Sequence, residues 1–301
     1  MLGGESCSPA KAASVRGLLE RVFVIGGAGQ LGSEICSALR DVPLVAPERG
    51  QFDLEDPAAV EAALARERPT LVVNAAAFHN VERCEREPER AFAVNATALG
   101  RLAEACARNG AALATFSTDY VFDGALRRPY RESDAPNPLN AYGRSKLAGE
   151  ELVRGALAEH IIVRTSGLYG TIPSRVKGYT FVDVMLRKGA AGEAVRVVDD
   201  IRFSPSYAPH VASALRALAE RRAFGTFHVS NGGDASWYDM TVAAFELAGI
   251  ATKPKPVSSD EFPSEVARPA YSVFAHEAIR AAGLTPMAHW RMALAEYIAA
   301  R

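Results

Sequence analysis

The stretch NAYGRSKLAGE, residues 140–150, places Tyr142 and Lys146 four positions apart. At this spacing two residues share one face of a helix, so an ammonium group can lie close to a phenol. A nearby cation favours the ionised phenol and lowers its pKa. The pair therefore predicts a proton donor or acceptor, with an ordinary solvated first helical turn as the alternative.

A second candidate site is the segment GGAGQLG, which follows the apolar run VFVI and places glycines at Gly26, Gly29 and Gly32. A diphosphate at a helix N-terminus needs backbone N–H groups at close range, and side chains at these positions would block it. The segment predicts a dinucleotide site, where Gln30 and Leu31 would contribute to cofactor binding. A plain strand-to-helix turn is the alternative.

The end of the second predicted strand bears on cofactor choice. Glu48 is an acid that can hold a ribose 2′-hydroxyl, and Arg49 is a base that can pair with a 2′-phosphate. We favour NADP(H), with NAD(H) as the alternative. Asp53 and Leu54 are predicted to cover the adenine, or to serve only as the entry to the next helix.

Strands and helices must alternate along the chain to position these candidate residues. From residue 21, short β-branched runs alternate with amphipathic ones, and Asp56 and Pro57 mark a helix start. A long helix is expected to end at Gly110, and HIIVRTSGLYG is expected to be one strand. This order predicts an α/β fold, a Rossmann-type doubly wound parallel sheet with a smaller C-terminal α/β substrate domain. The Pro-rich segment 253–269 is predicted to be loop.

The domain boundaries follow from this pattern. Residues 21–166 are predicted to form the NAD(P)-binding domain, with return segments near 200–230. Residues 167–199 and 231–301 are predicted to form the substrate-binding domain. Residues 1–20 lack the apolar stretch of a secretory signal and are expected to be a disordered or tag-like extension.

Composition limits the partners and the compartment. The net charge is −1, nearly half of the 301 residues are apolar, and no long basic run occurs, so neither nucleic acid nor an anionic membrane is expected as a partner. Apolar runs end before the roughly 18–20 residues of a membrane span. Four cysteines without metal-ligand spacing indicate a reducing cytoplasm and no metal site.

Taken together, these segments resemble the extended short-chain dehydrogenase/reductases and, within them, the dTDP-4-dehydrorhamnose reductase family. The resemblance covers most of residues 21–300. It is carried, in order, by GGAGQLG, VVNAAAFHNVERCEREPERAFAVNA, FSTDYVFDG, NPLNAYGRSKLAGE, IVRTSGLYG, HVSNGGDASWYDM and ARPAYSVF.

The resemblance implies reduction of a nucleotide-linked 4-keto-6-deoxy sugar, as in dTDP-rhamnose biosynthesis. Its catalytic residues would be Thr118, Tyr142 and Lys146. Thr118 would orient the sugar carbonyl, and Tyr142 would give its oxygen a proton as hydride arrives from the nicotinamide. Lys146, near the phenol and the nicotinamide ribose, is expected to lower the phenol pKa from about 10.

Further site residues follow from the resemblance. Small residues after the third strand and a threonine at the end of the fifth would face the cofactor, although core filling and a plain strand end are alternatives. The expected cofactor residues are Ala75, Ala76, Ala77 and Thr165. The expected substrate residues are Phe78, His79, Asp119, Tyr120, Gly167, Arg202 and Arg268.

Two departures from the family bear on the substrate. RTSG carries Gly167 where the family has an aromatic residue, which removes an apolar wall of the sugar pocket. Ile201 and Arg202 stand where the family has a glutamine and a small or apolar residue. Arg202 is either a ligand for an anion or a surface ion-pair residue. Arg268 either reaches the diphosphate or anchors its loop.

Rival functions remain open from the sequence. A dehydratase would need a carboxylate where Tyr120 stands, which argues for simple reduction. An epimerase would use the same Tyr–Lys pair. A non-catalytic NADP-binding protein, resembling the regulatory subunit of methionine adenosyltransferase, is a further alternative. A homodimer is compatible with the sequence.

Overall fold

The computed structural model of the chain describes residues 17–172, 178–262 and 264–301. Most of the predicted N-terminal extension, residues 1–16, lies outside the described residues. The expectation fails for its last part, because Leu18–Glu20 form a turn of 3₁₀ helix and Leu18 is only 3% exposed. The folded part therefore begins before residue 21.

Strands and helices alternate along the described chain. The strands are β1 Val22–Ile25, β2 Leu44–Val45, β3 Leu71–Asn74, β4 Ala112–Thr118, β5 His160–Thr165, β6 Leu168–Tyr169, β7 Arg196–Val198, β8 Ser206–Tyr207, β9 Gly225–His228 and β10 Lys255–Val257. The helices are α1 Gln30–Ala38, α2 Pro57–Glu67, α3 Val81–Arg86, α4 Pro88–Phe92, α5 Leu99–Asn109, α6 Ala141–Ala156, α7 Phe181–Ala190, α8 Ala208–Glu220, α9 Trp237–Ala248, α10 Glu277–Ala281 and α11 Trp290–Ala299.

The main sheet is parallel, with strand order β2-β1-β3-β4-β5-β9. Strands β1 and β3 are buried at every position because helices cover both faces of the sheet. The strand order reverses between β1 and β3, and ligands of such sheets bind beside the carboxyl ends at this point. The predicted Rossmann-type doubly wound sheet is confirmed.

Two apolar cores cover the two faces of this sheet. One contains Ile35 of α1 and Leu215 of α8. The other contains Leu64 of α2, Leu102 of α5 and Val153 of α6. Asp56 caps α2 by accepting a hydrogen bond from the Ala58 N–H at 2.9 Å, as its position before Pro57 predicted.

A smaller core lies beyond the main sheet. It packs α7, α9 and α11 around Phe203, Trp290 and Leu294, with Trp237 partly buried against it. Two short parallel pairs, β6–β8 and β7–β10, accompany it. Strand β10 lies in the Pro-rich segment that was predicted to be loop, and its pairing with β7 corrects that prediction.

Two further predictions need correction at the level of single elements. The long helix that closes at Gly110 contains a π-helical stretch, Ala93–Ala98, between α4 and α5. The predicted strand HIIVRTSGLYG is broken at Gly167, whose φ of +50° ends β5. The chain after the break, β6, leaves the main sheet and pairs with β8.

Within the described ranges, no helix is long and apolar enough to span a membrane. The same residues contain no cluster of His, Cys, Asp and Glu suited to a metal ion. Cys36, Cys84 and Cys106 are free thiols.

Candidate active site

The turn after β1 is shaped by contacts that exclude side chains. Gly26 has a φ of +79°, and a Cβ built on it would lie 2.9 Å from the Ala76 backbone nitrogen. A Cβ on Gly32 would lie 2.1 Å from the Gly26 carbonyl oxygen. Gly29 is the N-cap of α1, so the N–H groups of the first helical turn face this edge without a side-chain cap. The cradle fits a diphosphate.

The other predicted cofactor residues near this turn differ in which of their atoms can face a ligand. Gln30 is partly buried at the start of α1, whereas the side chain of Leu31 belongs to the core, so only the Leu31 backbone can face a ligand. Residues 75–77 follow β3 and are partly buried. The Ala76 N–H donates to Asn74 Oδ1 at 3.1 Å, which holds this turn close to Gly26.

The predicted adenine side is more exposed. Arg49 projects at the surface after β2. Asp53 Oδ1 accepts a hydrogen bond from the Glu55 N–H at 3.0 Å, and Leu54 packs in the core beneath α2. For Asp53 and Leu54 the structure thus favours the helix-entry interpretation.

Helix α6 carries Tyr142 and Lys146 to the end of β4. Its N-cap Asn140 accepts from the Gly143 N–H and donates to the Ala267 carbonyl, both at 2.9 Å. A Cβ on Gly143 would lie 2.1 Å from the Tyr120 carbonyl oxygen, so this glycine lets the helix approach the loop after β4. Neither role could be predicted from the sequence, because each depends on the approach of two segments that are distant in the chain.

The surroundings of Tyr142 differ from the expectation. Burial raises the pKa of Tyr142 above its ordinary value of 10, nearby Asp119 and Cys84 raise it further, and a hydrogen bond with Thr118 lowers it. In this structure burial therefore raises the pKa of Tyr142, in the opposite direction to the lowering expected from Lys146. A protonated phenol at neutral pH suits a proton donor.

Lys146 is only 4% exposed, and this burial lowers its pKa to about 8, against the opposing charge of Glu150 one turn further along α6. Glu150 is itself bound by two arginines. Arg164 donates to it at 2.9 and 2.7 Å, and Arg154 at 3.0 Å. Because these cations offset the charge of Glu150, Lys146 stays weakly stabilised as a cation.

Asp119 lies in a buried network of hydroxyl groups. Its carboxylate, 4% exposed, accepts hydrogen bonds from Thr118 Oγ1 at 3.1 Å, Ser166 Oγ at 2.7 Å and Ser272 Oγ at 2.6 Å. Burial raises the pKa of Asp119, and the hydroxyl donors oppose this. This carboxylate joins the ends of β4 and β5 to the C-terminal part of the chain, and its contact with a sugar stays a prediction.

Gly167 does not leave an open space. A Cβ built on it would lie 2.2 Å from the ring of Phe203, which is 3% exposed. The apolar wall that seemed lost at position 167 is therefore occupied by a ring from another segment.

Two arginines predicted to meet the substrate behave differently. Arg202 donates to Asp234 at 2.9 Å and to Asp239 at 2.8 Å, which supports its interpretation as an ion-pair residue. Arg268 donates to Glu82 and hydrogen-bonds the hydroxyl of Tyr120, whose pKa burial raises to about 12. Arg268 thus lies next to the Tyr120–Tyr142 ring pair, whose centroids are 6.0 Å apart.

The π-helical stretch supplies a residue that the sequence analysis missed. Asn95 Oδ1 accepts from the Phe78 N–H, and its Nδ2 donates to the Phe78 carbonyl, both at 2.9 Å. The same Nδ2 donates to Ser145 Oγ at 3.0 Å. Asn95 so ties the loop after β3 to α6, and Phe78 and Tyr142 both pack against the small core of Cys84, Ala91 and Ala141. His79, which was expected to meet the substrate, is exposed in this loop.

Thr165 ends β5 directly opposite Thr118 in the register of the sheet. Its Oγ1 is buried and finds no hydrogen-bond partner in the part of the chain that the structure describes. An unpaired hydroxyl at the carboxyl edge is suited to a polar group of a bound molecule.

The comparisons with known proteins agree with the resemblance that the sequence motifs indicate. The family model described as the RmlD substrate binding domain matches residues 20–301. A dTDP-4-dehydrorhamnose reductase of Mycobacterium tuberculosis is 42% identical, over 94% of each chain. A dTDP-4-keto-6-deoxy-D-glucose reductase of Streptomyces niveus is 40% identical over 93% of this chain and 96% of its own. The structure of a Bacillus anthracis dTDP-4-dehydrorhamnose reductase in complex with NADP superposes with a TM-score of 0.89 at 34% identity, covering 94% of this chain and 99% of its own.

Proposed function

Because this chain belongs to the family described as the RmlD substrate binding domain, we propose that it is an NADPH-dependent reductase of a nucleotide-linked 4-keto-6-deoxy sugar. Its substrate would be dTDP-4-dehydrorhamnose or a close analogue, as the names of its relatives indicate. The observation that carries the proposal is the hydrogen bond between Tyr142 and Thr118 at the end of β4, with Lys146 one turn after Tyr142 on α6. The glycine cradle before α1 lies at the same carboxyl edge of the sheet.

The residues proposed to bind the cofactor lie at the carboxyl edge of the main sheet. Gly26, Gly29 and Gly32 would hold the diphosphate on the N-terminus of α1. The turn at 75–77 and Thr165 would face the nicotinamide half, and Arg49 would pair with the 2′-phosphate. NADPH, when bound, supplies the hydride that reduces the sugar carbonyl.

The protein's own part in the reaction is proton delivery. Tyr142, kept protonated by its raised pKa, would donate its proton to the carbonyl oxygen. The cation of Lys146, with a pKa of about 8, would stabilise the phenolate left behind. Thr118 would orient the carbonyl, while Tyr120 and Arg268 would face the sugar and its diphosphate.

The rival functions have less support. A Thermus thermophilus UDP-glucose 4-epimerase shares the fold, with a TM-score of 0.77, but at 24% identity that likeness concerns the fold alone. Tyr120 stands where a dehydratase needs a carboxylate. A non-catalytic NADP-binding role would leave the Thr118–Tyr142–Lys146 grouping without a task. The homodimer and the cytoplasmic location stay predictions.

The test is oxidation of NADPH, and separately of NADH, by dTDP-4-dehydrorhamnose with wild type and Tyr142→Phe. Loss of the proton donor should lower kcat by about 10²–10⁴-fold while NADPH still binds. Tyr179→Phe, at an exposed tyrosine, serves as the control and should match wild type. Wild type that binds NADPH but does not oxidise it would refute the substrate assignment.

A further inference from the structure

The turn at the end of β5 contains a glycine–aromatic contact with no room for a side chain. A Cβ on Gly167 would lie 2.2 Å from Phe203 Cε2 and 2.5 Å from Phe203 Cδ2. Gly167 also has a φ of +50°, which disfavours any other residue. The Phe203 ring therefore occupies the space that a side chain at residue 167 would need.

Phe203 is held rigidly in this place. Its N–H and carbonyl each hydrogen-bond Ala235 at 3.0 Å. Its ring packs at a tilt against Trp237 with centroids 4.4 Å apart, and Trp237 in turn packs against Phe181 at 4.6 Å. A ring fixed by two backbone bonds and a row of aromatic side chains cannot easily move away from residue 167.

The contact also adjoins the catalytic residues. Gly167 follows Ser166, whose hydroxyl donates to Asp119, and Asp119 accepts from Thr118. The Gly167 carbonyl accepts from the Ser206 N–H at 3.3 Å, which secures the turn to β8. A displacement of the Phe203 ring would therefore reach the end of the strand that flanks Thr118.

We propose that Gly167 and Phe203 are a matched pair in which Phe203 forms the apolar wall of the sugar pocket at the end of β5. The inference rests on the proposed function and names a residue that sets sugar specificity within it. The wall is supplied by residue 203 because residue 167 has no side chain. A bulky side chain at 167 would need a small residue at 203, and it would still carry the strain of a positive φ.

The test uses four proteins: wild type, Gly167→Trp, Phe203→Gly and the double variant. Each is measured for its melting temperature, its Kd for NADPH and its Kd for dTDP-rhamnose, which requires no turnover. Each single variant should melt lower, by roughly 5 °C or more, because one overfills the site and the other empties it. The double variant should lose less than the two single losses added together, because removal of the ring relieves the clash while the strain of the positive φ at residue 167 remains.

The binding measurements test whether the Gly167–Phe203 pair lies in the sugar pocket. Each single variant should weaken dTDP-rhamnose binding by about 10-fold or more, whereas the Kd for NADPH should change less than about 2-fold. The double variant should bind the sugar nucleotide more tightly than either single variant. Additive losses in the double variant would overturn the proposal, as would equal losses for cofactor and sugar.

The chain provides a matched control at another glycine–ring contact. A Cβ on Gly189 of α7 would lie 2.4 Å from the ring of Phe245 of α9. Gly189→Ala and Gly167→Ala should both lower the melting temperature, but only Gly167→Ala should weaken dTDP-rhamnose binding. Equal weakening by both would overturn the pocket assignment.

The outcomes remain separable from those of the proposed function. If wild type binds dTDP-rhamnose but does not turn over the keto sugar, the reductase proposal fails. The comparison of the four proteins then still tests whether Gly167 and Phe203 form a matched pair. If wild type does not bind dTDP-rhamnose, the sugar-wall proposal is refuted together with the substrate class, even where the melting temperatures show coupling.

Discussion

Two turns at the carboxyl edge of the main sheet contain a left-handed glycine, and they differ in what those glycines face. At the turn after β1, the missing side chain of Gly26 faces the backbone of Ala76. At the turn after β5, the missing side chain of Gly167 faces the ring of Phe203. No substitution makes the Ala76 backbone smaller, whereas Phe203 can be replaced by a residue with a smaller side chain. The positive φ disfavours a side chain at both positions, but only at the second turn can a change of partner remove the steric clash as well.

The same difference separates the two halves of the candidate site. The proposed cofactor side consists of backbone groups at a helix N-terminus and after β3. The proposed sugar side consists of side chains that come from distant segments, such as Phe203, Ser272 and Arg268. Substitutions on the two sides should accordingly differ in which ligand they affect.

The largest effect is expected at Lys146, which serves both sides. Lys146→Met should lower kcat by about 10²–10³-fold, because the phenolate loses its cation. It should also raise the melting temperature at pH 7, because the wild type must bury a charged ammonium there. A variant that keeps most of its activity would contradict the role of Lys146.

The pH dependence of that stability gain has a defined sign. The folded pKa of Lys146, about 8, is below the ordinary value of 10.5, so the folded protein binds fewer protons than the unfolded chain between these values. Wild-type stability should therefore rise with pH in this window, and the advantage of Lys146→Met should shrink. Melting curves from pH 7 to pH 10 check this, with Lys253→Met at an exposed lysine as the control.

A smaller effect, restricted to the cofactor side, is expected at Gly32. A Cβ there would meet the Gly26 carbonyl oxygen at 2.1 Å, so Gly32→Ala should weaken NADPH binding by about 100-fold and destabilise the fold by about 1–3 kcal/mol. Gly155→Ala on α6, where a Cβ has no described neighbour within 4 Å, should leave NADPH binding unchanged. Titration with NADPH distinguishes them, and similar losses in both variants would argue against the close-approach explanation.

Asp119→Asn should lower kcat by about 10-fold while NADPH binding is unchanged, because an amide has one oxygen where the carboxylate uses two to accept from Thr118, Ser166 and Ser272. Burial raises the pKa of Asp119, so its ionisation costs the wild type stability as pH rises above 3.8. The Asn variant should not show this loss.

Asp134→Asn gives the opposite sign and serves as the control. Hydrogen bonds from Arg128 lower the pKa of Asp134 to about 2, so its stabilising contribution is present above pH 3.8 and is lost as pH falls through 2. Melting curves between pH 3 and pH 7 test both variants. Identical pH profiles for the two would contradict the assigned surroundings of Asp119.

The smallest effect is expected at Arg202. Its partly exposed pairs with Asp234 and Asp239 should make Arg202→Ala cost no more than about 1 kcal/mol, with KM for the keto sugar within about 2-fold of wild type. Arg268→Ala, beside Tyr120, should raise this KM by about 5-fold. Steady-state kinetics compares the two, and a larger change in KM for Arg202→Ala would restore its role as a substrate ligand.

Several features could be predicted because they depend on neighbours in the chain. The Asp56–Pro57 helix start, the end of the long helix at Gly110 and the alternation of strands and helices all follow from local propensity and capping. The break at Gly167 could not, because an apolar run that continues past a glycine resembles an uninterrupted strand. The strand in the Pro-rich segment likewise depends on pairing with β7.

The sequence by itself determined the fold class, the glycine cradle and the Tyr142–Lys146 spacing, because each is a pattern with a local physical cause. Only the tertiary structure decided the surroundings of these groups. It placed Asp119 among three hydroxyls, raised the pKa of Tyr142 through burial and set Phe203 against Gly167. Burial, desolvation and packing depend on segments that are far apart in the chain, and no spacing within one segment can encode them.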